Sequence, residues 1–144
     1  MNDVNYGIAW QDSFRLGDDR VDSQHFQIFK LLSSLVGSCM DGSATHKIRE
    51  TLDFLFNYTV RHFQDEETLQ IECAFPGYKA HKQLHNDFIL EVCEISSKFN
   101  KTGLSTELSN DLNKIVANWL INHIMREDKK IGEHLRSHRE LAAS

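Results

Sequence analysis

Apolar residues recur at spacings of three and four over four stretches of the chain, the pattern of helices that bury one face. They predict helices over residues 23–40 and 44–73, from about Pro76 to just before Gly103, and from after Ser105 to about Ile131. Asp22 and Ser43 are suited to cap the first two, Gly42 to stop the first, and Pro76 to open the third. Glu107, in the first turn of the fourth, favours a helix N-terminus.

The inward stripes follow from the same spacing. They run through His25, Ile28, Phe29, Leu32, Leu35, Val36 and Cys39 in the first helix, and through Ile48, Leu52, Leu55, Thr59, His62, Glu66 and Leu69 in the second. The third carries Tyr78, His81, His85, Phe88, Val92, Ile95 and Phe99, and the fourth Leu108, Leu112, Ile115, Val116, Trp119 and His123. Short connections make sequential helices antiparallel neighbours. The expected fold is therefore all-α, one domain over residues 1–144. It is an antiparallel up-down-up-down four-helix bundle (about 22–131) with an extended N-terminal arm (1–21) and a short C-terminal tail (132–144), helical or frayed. Trp10 and Phe14 are expected to pack over the bundle as the arm folds back.

Polar residues interrupt every stripe: His25 in the first, His62 and Glu66 in the second, His81 and His85 in the third, His123 in the fourth. Burying an imidazole or carboxylate is costly unless a partner compensates it. Five inward histidines would each need such a partner, and few inward polar residues remain to serve. One shared partner, a metal at the bundle centre, satisfies all of them. His62 with Glu66 and His81 with His85 are i, i+4 pairs, which share a helical face. Helix direction agrees, since His25, His81 and His85 come early in their helices and His62, Glu66 and His123 late. In an antiparallel bundle that puts all of them at one end.

Asp128 is a seventh candidate on weaker grounds. It follows His123 by five residues, about 140° round an ideal α-helix, and its MREDKK setting reads as a solvated charged turn. Its candidacy rests on charge, since two divalent ions need a second carboxylate, and on the resemblance described below. Seven donors exceed a tetrahedral zinc site, and no HExxH is present. Imidazole-rich ligation with two carboxylates suits iron and excludes calcium or magnesium as natural occupants. The absence of any Glu-x-x-His disfavours a ferritin-like site.

Composition narrows the class further. One proline in 144 residues favours long helices, and eight histidines are many for this length. A chain with 40% hydrophobic and 26% charged residues is globular rather than disordered. Net charge is −5, with no Lys/Arg-dense stretch, so a nucleic-acid partner is not expected. No apolar run is long enough to cross a membrane, and MNDVNYGIAWQD has no signal-peptide character, so the expected address is the cytoplasm. Cys39, Cys73 and Cys93 are odd in number and far apart, and form no CxxC, which suits reduced thiols. The pair His134 and His138 repeats the i, i+4 spacing but has no third partner and is expected on the solvated surface. His46 is likewise expected to be exposed. Lys129 and Lys130 suit a helix C-terminus.

The ordered pattern resembles the hemerythrin family, in its bacterial single-domain form: a lone His, then HxxxE, HxxxH and HxxxxD. Here these are His25, His62-FQD-Glu66, His81-KQL-His85 and His123-IMRE-Asp128. IAWQDSFRLGDDRVDSQH, HFQDEETLQIECAFPGYKAHKQLHNDF and WLINHIMRED extend the resemblance from about Ile8 to Lys130. It implies two iron ions (Fe2+/Fe3+) with an oxo or hydroxo bridge. His81, His85 and His123 would hold one iron, and His25 and His62 the other, which keeps an open position. Glu66 and Asp128 would bridge them. Dioxygen would bind reversibly at the open position as hydroperoxide, for storage, transport or delivery and without turnover. Ile28, Leu32, Phe63, Trp119 and Ile121 would form the apolar oxygen pocket, with Ile121 facing the gas. The rival readings are an oxygen or redox sensor module of a signalling protein, a di-iron peroxidase or nitric-oxide-handling enzyme, and a structural bundle with a histidine-rich core. No protein partner is indicated.

Overall fold

Asp18 starts the first helix: its Oδ1 accepts the Val21 N–H at 3.1 Å and its carbonyl accepts the Asp22 N–H at 2.8 Å. In this computed structural model, which describes residues 15–40, 45–112, 114 and 118–143, α1 spans Asp19–Met40, α2 Thr45–Glu72 and α3 Tyr78–Thr102. The fourth rod is segmented into α4 (Thr106–Asp111), α5 (Trp119–Asn122), a π-helical turn (His123–Asp128) and α6 (Lys129–Ala143). The described residues contain no strand, and the rods form the four-helix bundle expected. Ser43 as a cap, Gly42 as a stop, the packing of Trp10 and Phe14, and the stripe positions Ile115 and Val116 lie outside the described residues.

Local chemistry sets the ends. Gly103 closes α3 with φ +72° and an N–H bonded to Phe99 O at 2.9 Å, a backbone conformation that glycine adopts without strain. Ser105 Oγ accepts the Leu108 N–H at 3.0 Å and caps α4. Three expectations are corrected. First, Asp22 lies inside α1 rather than capping it. Its carboxylate reaches back to Leu16 N–H (2.7 Å) and Gly17 N–H (3.2 Å) and ties the incoming arm to the helix. Second, Pro76 stands in the connection before α3, which begins at Tyr78. Third, the last rod does not end near Ile131. It continues as α6 because Ile131, Gly132 and Leu135 are buried.

Two apolar clusters lie on either side of the histidine level. The larger runs along the bundle through Ile28, Leu32, Leu35, Ile48, Leu52, Phe63, Phe88, Val92, Ile95, Phe99 and Leu120. Each such side chain contributes about 1.5–3 kcal/mol by leaving water. The smaller joins Leu16, Val21, Cys73 and Leu135, with Leu69 and Phe75 against them, and closes the end of the bundle. Gly132 permits this closure, because a Cβ there would stand 2.6 Å from Leu16 O. Arg139 Nη1 donates to Gly17 O at 2.8 Å, and His134 Nε2 donates to Cys73 O at 2.7 Å, so α6 is fastened to the arm and to the end of α2. His134 is thus a half-buried structural donor, not the solvated residue its sequence context suggests; His138 and His46 are exposed. Cys39, Cys73 and Cys93 form no disulfide among the described residues, and are half-buried, buried and exposed respectively.

Candidate metal centre

Between the two clusters the structure brings together all seven residues: His25, His62, Glu66, His81, His85, His123 and Asp128, none more than 5% exposed. Glu66 sits among four imidazoles. Its Oε1 lies 2.8 Å from His81 Nε2 and 3.3 Å from His85 Nε2, and its Oε2 3.1 Å from His62 Nε2 and 3.3 Å from His25 Nε2. Asp128 is arranged in the same way. Its Oδ1 is 3.0 Å from both His81 Nε2 and His123 Nε2, and its Oδ2 is 2.9 Å from His25 Nε2. The donors therefore divide into two groups that share both carboxylates. Glu66, His81, His85, His123 and Asp128 form one, and His25, His62, Glu66 and Asp128 the other.

Backbone winding explains how Asp128, which its local setting alone would leave in a solvated turn, joins the other six. Hydrogen bonds of the i→i+5 type put residues five apart one turn apart, on one face. The π-helical turn His123–Asp128 does this, and Asp128 is 1% exposed. The i, i+4 pairs on α2 and α3 need no such device.

Hydrogen bonds on the outer ring nitrogens fix which atom faces inwards. Gln24 Nε2 donates to Asp65 Oδ2 at 2.7 Å, which turns its Oε1 to accept from His62 Nδ1 at 2.8 Å. His85 Nδ1 donates to Glu67 Oε2 at 3.1 Å. A neutral imidazole protonated at Nδ1 presents a lone pair at Nε2. His123 Nε2 nevertheless lies 3.0 Å from His85 Nε2 and 3.0 Å from His81 Nε2. Lone pairs at that separation repel unless a proton or a metal ion lies between them. His25 Nε2, His62 Nε2, Glu66 Oε2 and both Asp128 oxygens are also buried without hydrogen-bond partners. These are the atoms a metal would satisfy, so the residues fit the group.

Protonation follows the same demand for positive charge. Burial pulls His25 down, but the adjacent carboxylates of Asp128 and Glu66 outweigh it and raise its pKa to about 9. The same opposition, burial against Asp128 and Glu66, raises His81 to about 9. His62 is lowered by burial and by the nearby His25 charge. Burial would raise the Glu66 carboxyl, yet the adjacent imidazoles of His25, His62, His81 and His85 hold it well below its ordinary range. Burial and Glu66 push Asp128 up, and His123 and His25 more than reverse this. Nitrogen and carboxylate oxygen donors with no thiolate suit iron rather than calcium or magnesium.

Of the expected pocket residues, Ile28 and Leu32 are wholly buried. Phe63 stacks on the His85 ring at 3.8 Å and 3°, and Trp119 on the His123 ring at 4.5 Å and 8°. Two residues before His123 is about 200° of α-helical rotation, and Ile121 is half-buried, packed on the larger cluster. Leu120, three residues before His123 and 1% exposed, lies on the histidine's side. Gln24 and Glu67 were not among the sequence candidates. Each adjoins a stripe residue, so periodicity gives no sign of it.

The architecture and this chamber define the class: a helical-bundle protein built to hold cations between imidazoles and shared carboxylates. Comparison with known proteins agrees. Residues 16–135 match the family described as the hemerythrin HHE cation-binding domain. A bacteriohemerythrin of Stenotrophomonas maltophilia is 32% identical over 133 residues, covering 91% of this chain and 83% of that protein. The myohemerythrin of Riftia pachyptila is 31% identical over 122 residues, covering 85% and 88%. A crystal structure of a hemerythrin mutant superposes with a TM-score of 0.78 at 27% identity, over 88% of this chain and 95% of that one. The chain belongs to the hemerythrin family.

Proposed function

We propose that this chain holds two iron ions and binds dioxygen reversibly, for storage, transport or delivery, without turning it over. The observation that carries the reading is the pair of donor groups joined through Glu66 and Asp128. His81, His85 and His123 would hold one iron and His25 and His62 the other, with both carboxylates between them. The second group has one residue fewer, which leaves room for a small ligand. An iron pair so held supplies electrons that a bound gas can take up and give back.

The chain's own residues supply the rest. Glu66 and Asp128 would offset part of the charge of two cations from positions almost wholly buried. Gln24 and Glu67 keep His62 and His85 turned with Nε2 inwards. Phe63 and Trp119 cover two of the rings with aromatic faces, and Ile28, Leu32 and Leu120 add apolar walls that withhold protons from the gas site. Such a wall favours release of the gas unchanged over its reduction. Three cysteines outside any disulfide fit a reducing compartment, which supports action in the cytoplasm. Among the described residues no helix is long and apolar enough to cross a membrane.

The test is a visible spectrum of the ferrous protein through cycles of air and vacuum. A charge-transfer band that appears and disappears over repeated cycles supports reversible binding. A single irreversible change to a ferric spectrum points instead to a sensor or an oxidase.

A further inference from the structure

Gln70 is wholly buried, and neither its amide oxygen nor its amide nitrogen has a hydrogen-bond partner. Its main chain is well used: Gln70 O accepts from Phe75 N–H at 2.8 Å and from Cys73 Sγ at 3.7 Å. The side chain is the anomaly, since native proteins leave few buried polar groups unpaired. His25 presents the complementary anomaly. Its Nε2 faces Glu66 and Asp128, but its Nδ1 is buried with no partner. Histidines that face a metal donate their other N–H to an acceptor that fixes tautomer and ring orientation. His62 has Gln24 for this and His85 has Glu67.

Helix register brings the two anomalies to one level. α1 and α2 run antiparallel, with Gln24 on Asp65 and His25 on Glu66. Gln70 is one turn beyond Glu66. Val21, one turn before His25, packs in the cluster that holds Cys73 and Leu69. Side chains on a helix lean towards its N-terminus. On antiparallel partners this tips His25 towards the level of Gln70 and Gln70 towards the level of Glu66. Asp22, the other buried acceptor nearby, is engaged by the Leu16 and Gly17 N–H groups. We propose that Gln70 is the positioning residue of His25 in the metal-loaded protein: there its Oε1 accepts the proton on Nδ1, a bond not made in the metal-free arrangement, and thereby holds Nε2 towards the metal.

The inference rests on the two-iron reading, and its test separates the two. Metal-free wild type, Gln70→Leu, Gln70→Met and Gln70→Glu are titrated anaerobically with ferrous ion against a competing chelator. Circular dichroism and thermal midpoints of the metal-free forms serve as the fold control. Wild type is expected to take two irons. Leucine and methionine variants are expected to weaken one of the two sites by about 10–100-fold while the metal-free fold stays at least as stable. Glutamate restores an acceptor and is expected to recover the affinity. Fewer than two irons in wild type would overturn the two-iron reading, and this inference with it. Two irons in wild type with unchanged affinity in the leucine and methionine variants would overturn the role of Gln70 alone. Equal weakening in all three variants, or loss of fold in all three, would also overturn it, by making the residue a packing element.

Discussion

His123 and Asp128 are five residues apart in sequence, yet Nε2 of one lies 3.0 Å from Oδ1 of the other. The π-helical turn between them makes this possible, and through it Asp128 reaches His25 on α1 as well as His81 on α3. Asp128→Ala should therefore disturb both donor groups. Because loss of an outer partner alone costs about 10–100-fold in metal affinity, this loss of a shared donor should exceed that. Iron content after gel filtration checks it: wild-type content in the variant would remove Asp128 from the centre.

The metal-free protein should lose stability as pH rises from 6.5 to 9. His25 and His81 hold their protons to about 9 in the folded state against 6.5 unfolded. Their contribution is complete below 6.5 and disappears as pH climbs through the folded value. Glu66 and Asp128 act oppositely, because their lowered pKa values contribute above the ordinary carboxylate range and are lost on acidification. His62, lowered, partly offsets the raised histidines, His85 among them, below 6.5. Urea midpoints of the metal-free chain should fall between pH 6.5 and 9, whereas metal affinity should rise as protons leave the ligands. A midpoint that rises over that interval would contradict the protonation scheme.

Phe63 is 2% exposed and lies flat on His85. Phe63→Ala should cost about 3–5 kcal/mol of stability through the cavity it leaves. It should also shorten the lifetime of the oxygenated form, since water gains access. Denaturation of the metal-free protein and decay of the visible band are separate readings. A stability loss with an unchanged band lifetime would limit Phe63 to packing.

Leu120→Ala should accelerate autoxidation more than Ile121→Ala, because only Leu120 shares the inward side with His123. Comparing the two decay rates at one temperature and pH decides it. Faster decay in the Ile121 variant would favour the placement expected from sequence.

Most of this centre is legible in the amino-acid sequence, and the reason is periodicity. His25, His62, Glu66, His81, His85 and His123 fall on stripes whose spacing an α-helix turns into one face. Antiparallel packing then fixes their common level. Asp128 departs from the pattern because its placement depends on π winding, which a count based on 3.6 residues per turn assigns to the wrong side. The extent of α6 is hidden for another reason. Residues beyond Ile131 read alone as either a short helix or a frayed tail, and Gly132 against Leu16 and His134 on Cys73 hold them as helix. Gln24, Glu67 and Gln70 are polar residues whose roles depend on what stands opposite, which no single-chain pattern records.

Gly132→Ala tests the closure of the bundle end. Its Cβ would meet the Leu16 backbone at 2.6 Å, and backbone cannot rotate away as a side chain can. A loss of about 1–3 kcal/mol is expected, with faster proteolysis around Gly17. Unchanged resistance would mean that the arm does not depend on this close approach.

The central claim is that seven side chains from all four rods hold a pair of irons. Anaerobic titration of the metal-free chain with ferrous ion, followed by removal of excess and counting of retained iron, tests it most directly. The account predicts two irons per chain. Retention of one or none would contradict it.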